Sequence, residues 1–190
     1  MYNMKKDLRI LAICGSLRPN SSNHCIVNAI KLMAPEDVDI TTFDELREIP
    51  AFDDSVDHPA AVLRFRKQLQ DADGIIICTP EYAFGIPGAL KNAIDWTVGT
   101  GELVNKPVAL VTASSGGQHA HAGMLLVLKA LSANIPGELS ALISHVRSKL
   151  DAKGNISDAA TVVVLRSVLD SLIIKIKEAI HDKENVSSDG

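Results

Sequence analysis

Five short apolar segments rich in β-branched residues recur along the chain, and a stretch with helical periodicity follows each of them. The apolar segments predict β-strands at residues 8–14, 38–43, 74–79, 108–113 and 139–146. Apolar positions with a 3.6-residue period predict helices at residues 24–34, 60–71, 87–98, 120–133 and 158–180. Because the strands are apolar at nearly every position, they indicate a parallel sheet that is covered by helices on both faces.

Five strands of this kind favour an α/β fold with a doubly wound five-stranded parallel sheet in the order 2-1-3-4-5. In that order, ligands bind above the carboxyl ends of strands one, three and four. The pattern alone leaves other open parallel sheets possible. The chain of 190 residues shows no internal repeat and no linker. It therefore predicts one domain over residues 1–190, with frayed tails at residues 1–6 and 182–190.

The net charge, the length of the apolar runs and the cysteine pattern indicate which classes of protein the chain can belong to. The formal net charge is −4, and the lysines and arginines are scattered, so no basic face for nucleic acid is predicted. No apolar run reaches the length of a membrane span, and the N-terminal stretch lacks the features of a signal peptide. Three cysteines without a C-x-x-C pair favour a reduced, cytoplasmic protein with buried thiols rather than a disulfide framework.

A turn of small polar residues follows the first predicted strand and precedes the first helix. It reads C-G-S-L-R-P-N-S-S-N over residues 14–23 and places Ser16, Ser21, Ser22 and Asn23 around the planar cation of Arg18. The helix start adds unpaired N–H groups and partial positive charge, so the turn predicts a phosphate site. The alternative is a helix cap on an ordinary turn. A single glycine in the turn excludes both the G-x-G-x-x-G and the Walker A patterns.

The turns after the third and fourth strands also have the character of ligand-binding loops. The first reads P-E-Y-A-F-G-I-P-G-A-L-K-N-A-I-D-W over residues 80–96, and the second reads T-A-S-S-G-G over residues 112–117. The carboxyl ends of parallel strands meet at the same edge of a sheet. Three such loops at that edge therefore predict one ligand site.

Two of these motifs resemble the NADPH-dependent FMN reductases, a family with a flavodoxin-like fold that includes chromate, azo and quinone reductases. The motifs are G-S-L-R-x-x-S-x-N and T-P-E-Y-x-x-G-I-P-G-x-L-K-N-A-I-D-W, and the resemblance covers residues 8–146. It implies three groups of FMN-binding residues, for the phosphate, for the isoalloxazine ring and for the other side of the ring. The groups are Ser16, Arg18, Ser21, Ser22 and Asn23; Pro80, Glu81, Tyr82, Phe84 and Gly85; and Ser114, Ser115 and Gly116.

The resemblance also implies an activity. It is that of an oxidoreductase that passes hydride from NADPH or NADH, through bound FMN, to a quinone, a flavin or a similar small acceptor. No catalytic side chain is expected, because the flavin carries the chemistry. The resemblance implies a homodimer or homotetramer, while the charge and the short apolar runs predict no nucleic-acid or membrane partner. Two alternatives stay open: a flavin-binding electron carrier or redox sensor without turnover, and a related module that binds no flavin.

Two positions depart from the family pattern and concern the reactive end of the predicted site. Ala83 stands where relatives usually carry Asn, and the sequence from Gln118 to His121 stands where relatives often continue Gly-Gly-x-Arg. The pair His119 and His121 lacks an accompanying carboxylate or cysteine, so no metal site is predicted. For Glu81, a structural role in bonding backbone N–H groups or a partner subunit is preferred to proton donation. Backbone N–H groups near Gly85 are expected to contact the flavin ring.

Overall fold

The five predicted strands are all present. We describe a computed structural model that covers residues 8–54 and 57–188, with side chains up to residue 185. The strands are β1 (Leu8–Cys14), β2 (Val38–Phe43), β3 (Gly74–Thr79), β4 (Val108–Ala113) and β5 (Ser140–Ile143). The first four have the bounds predicted from the sequence. The fifth is shorter than predicted, because His145 adopts a left-handed conformation (φ 53°) that turns the chain out of the sheet.

In the part of the chain that the structure describes, five α-helices alternate with the strands. They are α1 (Ser22–Met33), α2 (Ala60–Asp71), α3 (Gly88–Asp95), α4 (Gln118–Ala130) and α5 (Ala159–Ser188). The tail over 182–190, for which fraying is predicted, overlaps α5, since residues 182–188 continue this helix. This stretch contains no proline or glycine and includes Lys and Glu, which favour helix. The predicted frayed segment 1–6 lies outside the described residues, as do residues 189 and 190.

The sheet has the predicted order, β2-β1-β3-β4-β5, and every neighbouring pair is parallel. The register pairs Cys14 with Cys78 and Thr79 with Thr112, so β1, β3 and β4 end at the same level. All positions of β3 and β4 are buried, whereas β2 and β5 alternate buried and more exposed positions. The continuous burial follows from the central position of β3 and β4, which helices cover on both faces.

Two apolar cores lie on opposite faces of the sheet. Helices α1 and α5 cover one face, with Ile26 and Leu169 among the fully buried side chains. Helices α2, α3 and α4 cover the other face with residues such as Phe65, Leu90 and Met124. The loops that follow β1, β3 and β4 therefore meet at one uncovered edge of the sheet. Within the described residues, no helix combines the length and the apolar character that a membrane crossing requires.

Candidate functional site

A cavity of about 410 Å³ opens at the carboxyl ends of β1, β3 and β4, where the sequence predicts a ligand. Its volume is within the range of small-molecule sites in proteins. The cavity is lined by Ser16, Arg18, Ser21, Ser22, Asn23, Pro80, Glu81, Tyr82, Ala113, Ser114, Ser115, His145, Val146, Arg147 and Ser148. Thus residues from all three predicted loops come together. Of the predicted set, Phe84, Gly85 and Gly116 are adjacent in sequence but are not part of the lining.

The turn after β1 presents hydroxyl groups to one end of the cavity. Ser21 caps α1, because its Oγ accepts a hydrogen bond from the backbone N–H of His24 at 3.4 Å. The Oγ of Ser16 accepts from the backbone N–H of Arg18 at 3.3 Å and lies 3.2 Å from the hydroxyl of Tyr82. Helix geometry leaves the N–H groups of the first turn of α1 without intrahelical partners. This end of the cavity is therefore rich in hydrogen-bond donors.

Asn23 holds this turn against the sheet. Its side-chain amide donates to the carbonyl of Ala113 at 3.1 Å, and its Oδ1 accepts from the Cys78 thiol at 3.2 Å. The side chain is buried and joins the first helix to β3 and β4. These bonds assign the Asn23 side chain a structural role, while its contact with a phosphate stays a prediction.

Two arginines at this end of the cavity have unengaged guanidinium groups. The chain contains seven arginines. Five of them bind an acidic side chain or a backbone carbonyl: Arg9, Arg47, Arg64, Arg66 and Arg166. Within the described residues, the side chains of Arg18 and Arg147 make no hydrogen bond or ion pair, and both line the cavity. Two free planar cations next to serine hydroxyls form a binding arrangement suited to a phosphate.

Arg147 belongs to a part of the site that the sequence did not indicate. The turn after β5 contributes His145, Val146, Arg147 and Ser148 to the lining. It is held in place by hydrogen bonds from the N–H groups of His145 and Val146 to the carbonyls of Ser115 and Ser114, both at 3.1 Å. Because the sequence predicts that β5 extends to residue 146, it does not indicate a turn at residues 145–148. A left-handed histidine has no clear sequence signature.

Glu81 joins the loops after β3 and β4. Its carboxylate accepts hydrogen bonds from the backbone N–H groups of Ala120 at 2.8 Å and of Gly117 at 3.3 Å, at the start of α4. The bond from Ala120 is the main cause that lowers the pKa of this carboxyl below its usual value. The preference for a structural role of Glu81 is confirmed, since the side chain caps a helix.

The tip of the loop after β3 is a tight two-residue turn. Tyr82 and Gly85 exchange two backbone hydrogen bonds of 3.0 Å, and the residues between them, Ala83 and Phe84, have φ angles of 48° and 60°. Positive φ at both central positions is the geometry of a type I′ turn, which favours Asn and Gly. The N–H of Gly85 is bound to the Tyr82 carbonyl. The expectation that backbone N–H groups near Gly85 contact a flavin ring stays a prediction.

The two histidines after the fourth strand make different contacts. His119 packs edge-on against Phe84, with ring centroids 5.1 Å apart. The Nδ1 of His121 lies 2.9 Å from the Thr112 hydroxyl, and partial burial lowers the pKa of its imidazole. Among the described residues, no cluster of three or more His, Cys, Asp or Glu side chains suitable for a metal is found.

Comparison with known proteins relates this geometry to a family. A family model described as "NADPH-dependent FMN reductase" matches residues 8–148. A 2-hydroxy-1,4-benzoquinone reductase of a Burkholderia species is 33% identical over 174 residues, which cover 86% of this chain and 93% of that protein. A quinone reductase of Escherichia coli is 30% identical over 169 residues, which cover 84% of this chain and 90% of that protein.

A solved structure with a similar fold is that of FerB, a flavoenzyme NAD(P)H:(acceptor) oxidoreductase from Paracoccus denitrificans. The two chains superpose with a TM-score of 0.74 at 24% identity, and the match covers 90% of this chain and 98% of FerB. At this level of identity, the likeness establishes the common flavodoxin-like fold.

Proposed function

The chain belongs to the NADPH-dependent FMN reductase family, and on that premise we propose that it binds FMN in the cavity described above. It then acts as an NAD(P)H-dependent oxidoreductase on quinones, flavins or similar small acceptors. The family match over residues 8–148 includes every residue of the cavity, so the proposal concerns the part of the chain that the family shares.

The observation that carries the proposal is the pair of unengaged arginines, Arg18 and Arg147, at the donor-rich end of the cavity. An FMN phosphate is a dianionic group with several acceptor oxygens. The hydroxyls of Ser16, Ser21 and Ser22 and the first N–H groups of α1 complement those oxygens. The residues present therefore fit the phosphate end of this cofactor.

The other residues of the cavity suit a flat ring rather than a reacting nucleophile. Pro80 and Tyr82 provide apolar surface, and the backbone around Ser114 and Ser115 is held in place by the turn after β5. When bound, FMN supplies the capacity to accept and donate hydride. The chain's contribution is to bind the phosphate, to orient the ring and to hold the surrounding loops in fixed positions. Glu81 serves the last of these roles by tying the loop after β3 to α4.

We also propose that two copies of the chain associate next to this site. His119, Ala122 and Leu126 share one exposed face of α4, and Leu126 is 70% exposed. Phe84, which is 77% exposed, contacts His119 and extends this apolar face to the loop after β3. An exposed apolar patch of this kind is typical of a protein interface. The oligomeric mass in solution, compared between the parent and Leu126→Glu, tests this proposal, since the variant should dissociate.

The three cysteines support the further proposal of a cytoplasmic location, since all are free. The single-domain organisation stays a prediction.

The activity is tested with purified protein loaded with FMN. We expect NADPH or NADH to bleach the flavin absorbance and a quinone to restore it, with turnover when both are present. Bleaching without turnover would identify an electron carrier instead of an enzyme. Protein that takes up no FMN would contradict the proposal as a whole.

A further inference from the structure

A second, larger cavity adjoins the first at its phosphate end. It measures about 980 Å³ and lies between α1 and the segment that follows β5. Ser22 and Arg147 line both cavities, so the two are contiguous at the position assigned to the FMN phosphate. We propose that this second cavity is an adenylate subsite, and that the chain therefore accepts FAD as well as FMN. This inference rests on the proposed function.

One wall of the cavity is a stripe of residues along α1. Ser22, Cys25, Ala29 and Leu32 follow a spacing of three and four residues, which places them on one face of the helix. Between the first and last of these residues the helix advances about 15 Å. The stripe begins with a hydroxyl at the shared end and ends with Leu32, which is 87% exposed.

The opposite wall is a hairpin formed by residues 150–156. Leu150 and Ile156 pair as an antiparallel bridge, and the Asp151 N–H donates to the Asn155 carbonyl at 2.8 Å. The Asp151 carboxylate accepts from the N–H groups of Lys153 and Asn155, both at 2.8 Å, so its charge is engaged within the turn. These bonds give the cavity a preformed wall, which lowers the entropic cost of binding.

The hairpin backbone lies close to α1 at Gly154. Gly154 has a φ of 85°, and a Cβ built on it would lie 2.9 Å from the sulfur of Cys25. The glycine therefore lets the hairpin backbone approach the helix.

The charge and polarity of the cavity match the part of FAD that extends beyond the FMN phosphate. Arg147 lies at the shared end, and Lys153 has an ammonium group without an ion-pair partner among the described residues. The two cations suit a second phosphate, and the apolar surface of Ala29, Leu32 and Ile156 suits a heterocyclic base. Because the cavity begins where the first phosphate is placed, a group attached to that phosphate would extend into it.

The test is titration of the flavin-free full-length chain with FMN and with FAD, followed by isothermal calorimetry. Lys153→Glu should lower the affinity for FAD about tenfold, the change expected when a charged contact to a phosphate is lost. It should leave the affinity for FMN unchanged. Lys67→Glu is the control, because Lys67 is an exposed lysine on α2 that lines neither cavity and lies outside the proposed association face, and it should change neither affinity.

A second variant tests the open volume of the second cavity, whereas Lys153→Glu tests its charge. Ala29→Trp fills the groove along α1 and should weaken FAD binding while FMN binding persists, which also shows that the variant is folded. If FMN binds and FAD does not, or if both variants affect the two flavins equally, the adenylate subsite is wrong and the proposed function still stands. If neither flavin binds to the parent chain, the proposed function itself fails.

Discussion

Removing either arginine at the phosphate end should weaken the binding of FMN and leave the binding of riboflavin unchanged. Riboflavin has the same ring and ribityl chain but no phosphate, so it separates a contact to the phosphate from a general effect on the site. The variants are Arg18→Ala and Arg147→Ala, and Arg64→Ala serves as the matched control. Arg64 is an exposed arginine that is paired with Glu45 and does not line the cavity.

The expected magnitude follows from the exposure and the lack of partners of the two guanidinium groups. At 4 Å, two unit charges attract each other by about 1 kcal/mol in water and by about 4 kcal/mol at an effective dielectric constant of 20. Both arginines are exposed, which favours the lower end of this range. Neither has to break an ion pair within the described residues before it binds. We therefore expect a loss of about 1.4 kcal/mol, or about tenfold in FMN affinity, for each variant.

The assay is quenching of flavin fluorescence when the flavin-free protein is titrated with FMN or riboflavin at several salt concentrations. The affinity for FMN should decrease with salt, because exposed charge pairs are screened, and the affinity for riboflavin should not. An equal loss of FMN and riboflavin affinity in both variants would show that the arginines act on the fold. Unchanged FMN affinity in both would mean that the phosphate binds elsewhere.

Three further predictions concern the loops around the site. Ala83→Asn should stabilise the protein by about 1 kcal/mol and raise the melting temperature by about 2–4 °C, because Asn tolerates the left-handed turn position better than Ala. Ala51→Asn, at an exposed position without positive φ, should give no such gain in thermal denaturation. Gly117→Ala should destabilise by about 2 kcal/mol, since Gly117 has a φ of 104° and the new Cβ would lie 2.8 Å from a Leu142 methyl. An equally stable variant in urea unfolding would disprove that reasoning. Glu81→Gln should lower the melting temperature near neutral pH. The difference in melting temperature between the variant and the parent should shrink as the pH falls through the lowered pKa of the Glu81 carboxyl, because the parent side chain also becomes neutral there. A difference that is independent of pH would show that the charge of Glu81 does not stabilise α4.

Local patterns determined most of the fold. The bounds of β1 to β4 follow from runs of apolar residues between turn signals, and α2 has the bounds predicted from its 3.6-residue apolar period. The alternation of strands and helices favoured the observed strand order but left other open parallel sheets possible, and the match of residues 8–148 to a family model confirmed the family. Each of these inferences depends on residues close together in the chain, where hydrophobic periodicity and turn chemistry operate.

Only the tertiary structure decided which side chains are free to bind a ligand. Sequence places Arg18 in the phosphate turn, but long-range contacts bring Arg147 to the same cavity and engage the five other arginines elsewhere. In the same way, Asn23 and Glu81 bond to groups far away in the sequence, at Ala113 and Ala120. Such partners depend on how the strands and helices pack. The spacing of these residues along the sequence does not reveal such contacts. Arg147 and the second cavity could therefore be identified only from the tertiary structure.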